Sequence, residues 1–146
     1  MSSVAHLARR FRGSLSRVEP PPADVAWVDG QLLDGERALW HRMAVQDRRH
    51  SIVVARRFVS LEPSATRAEV AGALLHDVGK QASGLGTFSR VLATLVGPRT
   101  ARFAEYHDHE ALGAELLRSG GSETATIHLV TGEGPLAASL RAADDV

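Results

Sequence analysis

The chain has no cysteine, only one tyrosine and no net charge across its 146 residues. Without cysteine, disulfides and thiolate metal ligands are excluded, so any bound metal must be held by His, Asp, Glu and water. Acidic and basic residues balance at 17 each. That balance gives no broad field to attract a phosphate backbone, and no nucleic-acid partner is expected. No apolar run is long enough to cross a bilayer, so no transmembrane segment is expected. The first residues lack the charged, apolar and small-residue order of a secretory signal, which points to a cytoplasmic protein.

What is present suits one folded domain. Hydrophobic residues make up 44% of the chain, enough for a core at this length. Residues 1–24 stand apart. Arg9, Arg10, Arg12 and Arg17 accompany Leu7, Phe11 and Leu15 at helical spacing, and a run of prolines at 20–22 follows. Consecutive prolines break a helix because they lack donors and fix φ. The segment reads as a basic, proline-rich leader that contacts a partner or a membrane surface, or docks loosely. Residues 25–146 read as a single domain.

Within that domain the pattern is helical throughout. A long periodic segment starts near Asp34 and is closed by Pro63. Thr66 and Glu69 form a capping-box pair before TRAEVAGALLHDVGK, whose Val70, Ala73, Leu74 and Val78 share a face. Helices are expected over FSRVLATLV, over TARFAEYHDHEALGAELLRSG up to Gly120 and Gly121, over SETATIHLV with Ser122 as its cap, and over PLAASLRAADDV. No alternating pattern competes. The expected fold is all-α, a compact bundle of about six to eight helices.

Polar residues interrupt these helices at particular places. His50 is followed by Ile52, Val53 and Ala55. His76 and Asp77 follow Leu74 and Leu75. Asp144 and Asp145 end the helix carrying Leu136 and Leu140. Each places an imidazole or carboxylate beside residues that must be buried, where an unpaired polar group costs several kcal/mol. A bound cation compensates that cost. Nitrogen and oxygen donors of this kind suit divalent Mn, Fe, Co, Ni or Zn. Two imidazoles and two carboxylates leave positions open on an octahedral ion, as hydrolytic chemistry requires. Taken one at a time, His50 reads as a core histidine, and the His76–Asp77 pair reads equally as a hydrogen-bonded helix end or as a ligand pair. Arg48 and Arg49 read as a solvated face within reach of an anion. His6, His41, His107 and Asp108 read as structural or exposed. Trp27 and Trp40 read as packing residues.

The order of His50 in HSIVVA, His76–Asp77 in LLHDVGK and Asp144 in AADD resembles the HD-domain metal-dependent phosphohydrolases. The likeness runs from about Arg48 onward, and HDHEALGAELL is similar to the family's later His-x-x-x-Gly-Ala segment. The resemblance implies His50, His76, Asp77 and Asp144 as metal ligands, with Asp144 preferred to Asp145 because it directly follows alanine. It implies one divalent ion, whose identity Mn, Fe, Co, Ni, Zn or Mg stays open. Asp77 would also orient the attacking water, Lys80 would contact phosphate, and His109 would line the cleft. The implied substrate is a nucleotide or other small phosphorylated metabolite. Many members carry a His-His pair where this chain has Glu133 and Gly134, and its absence implies one metal rather than two. Flanking Gly132 and Gly134 place Glu133 in a loop, and His128 falls on the wrong face to substitute. The second reading is a non-catalytic module of the same type that binds a metal or nucleotide and serves regulation.

Overall fold

Seven helices and no strands make up the described residues, 18–79 and 109–145, of the computed structural model. They are α1 Pro22–Gln31, α2 Asp34–Arg42, α3 Val45–Leu61, α4 Arg67–Leu74, α5 His109–Ser119, α6 Thr124–Val130 and α7 Ala137–Asp144. The architecture is an all-α bundle, as the periodicity predicts.

Helix α4 sits deepest. In α4, Ala68 and every residue from Val70 to Leu74 are buried, which is why its pattern is apolar nearly all round. It packs against α1, α3 and α6. Gly72 lets α6 approach closely, since a Cβ there would sit 3.0 Å from Leu129 Cδ2 and 3.3 Å from the Thr126 carbonyl. At the start of α4, the Thr66 hydroxyl accepts the Glu69 N–H at 3.3 Å. The Glu69 carboxylate accepts the Thr66 N–H at 2.8 Å. This is the capping box read from the sequence.

Three local expectations need correction. The periodic segment from Asp34 is not one helix. It breaks at Met43 and Ala44, which take extended backbone with ψ of 151° and 150°. No glycine or proline marks the break. Tertiary packing imposes it, because Trp40 and Met43 are both buried at the corner. Residues 18–21 carry no helix, as the proline run requires, but the next helix begins at Pro22 and not at Val25. Pro22 opens α1, where its missing N–H is one that the helix leaves unpaired anyway. Ser122 does not cap α6. The cap position is Glu123, and the Ser122 hydroxyl instead donates to Glu36 Oε2 at 2.7 Å.

The end of α5 follows expectation in detail. The Ser122 N–H donates to the Leu117 carbonyl at 2.9 Å and the Gly121 N–H to the Arg118 carbonyl at 3.1 Å. Gly121 takes φ +82°. This is the Schellman arrangement, which needs a left-handed residue and so favours glycine.

The described part of the expected leader, residues 18–24, is docked on α3. Arg48 forks onto Glu19 at 2.9 and 3.1 Å, Arg49 donates to the Val18 carbonyl at 3.0 Å, and Arg56 donates to Asp24 at 2.9 Å. Arg48 is therefore not on a solvated face; its side chain is only 12% exposed. Among the described residues, no helix is long and apolar enough to cross a membrane.

Candidate metal centre

Three pieces of chain distant in sequence meet where α3 packs against both α4 and α7. His50 comes from the second turn of α3. The helix expected to run through Val78 ends at Leu74, so His76 and Asp77 lie in the turn after α4, which closes through the Val78 N–H on the Leu75 carbonyl at 3.0 Å. Asp144 is the last residue of α7. The anchors of this arrangement are apolar. Leu74, Leu75 and Ala143 are fully buried beside the polar residues, so the core fixes the backbone from which each polar side chain reaches out.

One ligand atom from each of His50, His76, Asp77 and Asp144 lies within 4.8 Å of the others. His50 Nε2 is 2.9 Å from Asp144 Oδ1, and His76 Nε2 is 3.3 Å from the same oxygen. His76 Nε2 is also 3.3 Å from Asp77 Oδ2. Ligands held ~2.1 Å from an ion and at right angles to each other lie ~3.0 Å apart. These three separations are close to such edges, and all four atoms lie near enough together for the residues to hold a divalent ion with two imidazole and two carboxylate ligands. Two carboxylates also balance its charge.

The second layer is ordered as a metal site requires. His76 Nδ1–H donates to the Ala73 carbonyl at 2.7 Å. That bond fixes the tautomer and turns Nε2 toward the carboxylates. No sequence signal marks this bond, since any residue at 73 offers a carbonyl. Access is uneven. The His76 side chain is 8% exposed, whereas those of His50 and Asp144 are each 33% exposed. The cluster is thus most covered at His76 and most accessible to water at His50 and Asp144.

Electrostatics agree with the geometry. Burial, the largest single influence on His76, opposes its charge. Hydrogen bonds to Asp144 and Asp77, together with their negative charges, outweigh it and raise the His76 pKa to about 10. Asp144 is held well below the usual carboxylate range, first by its hydrogen bond with His50 and then by that with His76, against partial desolvation. In ion-free protein, the proton on His76 thus holds the two carboxylates together, as a cation would.

Of the residues expected from the sequence, His50, His76, Asp77 and Asp144 are brought together. Asp145 is not; it is exposed and caps α7 through its N–H on the Arg141 carbonyl at 3.0 Å. Glu133 and His128 are exposed and pair loosely with each other at 3.8 Å, outside the cluster. Gly132 and Gly134 flank Glu133 with φ of 76° and 90°, the loop expected there. His41 is exposed and pairs with Asp29 at 2.8 Å. Lys80, His107, Asp108 and His6 lie outside the described residues, as does the side chain of His109, which opens α5. Comparisons with protein-family models, with curated proteins and with solved structures give no match.

Proposed function

We propose that this chain is a metal-dependent phosphohydrolase of the HD type, acting on a nucleotide or other small phosphorylated metabolite. The observation that carries the proposal is the convergence of two imidazoles and two carboxylates, from three separate elements, on a point accessible to water at His50 and Asp144. Imidazole nitrogens favour Mn, Fe, Co, Ni or Zn over Mg. A bound divalent ion lowers the pKa of water and polarises a phosphoryl oxygen.

The chain's own residues divide the remaining work. His50, His76 and Asp144 hold the ion. Asp77, 21% exposed, holds it too and accepts a hydrogen bond from the attacking water, aligning it with phosphorus. Lys80 balances charge on the phosphate, and His109 protonates the leaving oxygen. Both assignments rest on the sequence resemblance.

The first test is metal content after purification without chelators, beside a His76→Ala, Asp77→Ala double variant. About one ion per chain is expected in the parent and none in the variant. A panel of phosphate esters then follows, with the double variant as the control. Ion binding without turnover of any ester would favour the second reading, a non-catalytic regulatory module. The missing His-His pair motivates that reading, since the equivalent Glu133 stands apart from the cluster.

A further inference from the structure

His50 reaches the centre from a helix whose N-terminus has no side-chain capping bond. Something else must set the rotation of α3 about its axis. The buried Trp40, at the end of α2, makes contacts on both sides of His50. Its indole N–H donates to Ser51 Oγ at 2.9 Å, and Ser51 Oγ donates to the Arg48 carbonyl at 2.7 Å. The Arg48 guanidinium lies over the Trp40 ring, 5.6 Å from its centre, and Arg48 Nε–H donates to the Met43 carbonyl at 3.1 Å. The ring of contacts closes on itself. It ties the residue after His50 and the residue two before it to one indole. Trp40 is fully buried and Ser51 is 1% exposed, so water does not compete for these bonds.

We infer that Trp40, acting through Ser51, is a positioning residue for His50. It fixes the turn of α3 that aims the imidazole at Asp144. The inference rests on the reading of His50 as a metal ligand. The physical case is one of leverage. A rotation of a helix by about 10° moves an atom ~6 Å from the axis by ~1 Å. Metal–ligand distances tolerate only about ±0.2 Å. Packing of Ile52, Val54, Ala55 and Phe58 holds α3 against the core, but apolar contacts resist small rotations less than directional hydrogen bonds do. A buried polar bridge of this kind supplies the direction.

The test is a cobalt(II) titration of the full chain, read by visible absorption and by chelator competition. Trp40→Phe keeps an aromatic ring and removes the N–H. Ser51→Ala removes the bridge itself and carries the same test if Trp40→Phe fails to fold. Phe58→Leu, at a fully buried position on the same helix, controls for general loss of stability. Positioning predicts unchanged stoichiometry, about tenfold weaker binding or more, and an altered cobalt spectrum for Trp40→Phe and Ser51→Ala. Phe58→Leu should lose stability and keep both affinity and spectrum. Parental affinity and spectrum in Trp40→Phe and Ser51→Ala would overturn the inference while leaving the metal reading intact. An equal loss in Phe58→Leu would overturn it too. Failure of the parent protein to bind cobalt would overturn both.

Discussion

Among the described residues, two clusters of charged side chains invite comparison, and they differ in whether they could hold an ion. The first surrounds Glu36, which is fully buried. Its Oε1 accepts the Leu33 N–H at 2.8 Å and faces Arg67 at 3.4 Å, and its Oε2 accepts the Ser122 hydroxyl at 2.7 Å. Arg67 continues to the Gln31 carbonyl at 2.8 Å and to Glu123 at 3.0 Å. Every partner is a donor or acceptor of the chain, and they fan outward to different elements. The second cluster is that of His50, His76, Asp77 and Asp144. There the ligand atoms point inward to one place, and half of the residues are a third exposed. Burial of charge is common to both. Convergence of lone pairs and access from outside distinguish a centre that can hold an ion from a clasp that holds helices.

The comparison can be broken most severely at Glu36. Glu36→Ala should lower the unfolding free energy by about 3 kcal/mol, because Arg67, Ser122 and the Leu33 N–H lose a buried partner. Chemical denaturation checks this. The folded fraction should bind metal as tightly as the parent, so a large loss of affinity would refute the division of roles. Asp144→Asn should do the reverse. Metal affinity should fall about a hundredfold, equivalent to about 2.7 kcal/mol, since the shared carboxylate loses its charge. Chelator competition measures it, and parental affinity would exclude Asp144 as a ligand.

A smaller effect follows from the protons of the second cluster. His76 is raised from 6.5 to about 10. In ion-free protein its contribution to stability is complete below pH ~6.5 and is lost as pH rises through about 10. Asp144 is lowered, so its contribution is present above pH ~3.9 and is lost as pH falls through its depressed value. An ion must displace the Nε2 proton of His76, while the Nδ1–H bond to Ala73 remains. Metal affinity should therefore rise about tenfold per pH unit between roughly pH 7 and 9, with a proton released on binding. Calorimetry in buffers of different ionisation enthalpy reads that proton. An affinity flat with pH would remove His76 from the ligand set. The mildest change is Thr66→Ala, which should cost about 1 kcal/mol through the lost cap of α4 and leave ion stoichiometry unaltered.

Much of this was legible in the chain. Helical period, the Thr66–Glu69 box and the glycines at 120 and 121 are local signals. Each follows from the geometry of a few neighbouring residues. The ligand residues were legible as polar groups set against apolar runs. The break at Met43 and Ala44 was not, because nothing in their propensities opposes a helix. Nor was the fate of Ser122, whose hydroxyl turns from its own helix to a carboxylate 86 residues away. The burial of Glu36 was equally hidden. A glutamate at the third position of a helix looks solvated until its distant partners are known.

The sequence by itself determined that the described residues are helical, where most of those helices end, and which imidazoles and carboxylates cannot be buried alone. Those properties depend on backbone sterics and on the cost of desolvation, which act locally. The tertiary structure alone decided that Arg48 packs over Trp40 instead of facing solvent, that Glu36 is a buried clasp, and that the helical segment from Asp34 breaks at Met43 and Ala44. Those outcomes depend on which elements share the core, and that is set by packing across the whole bundle.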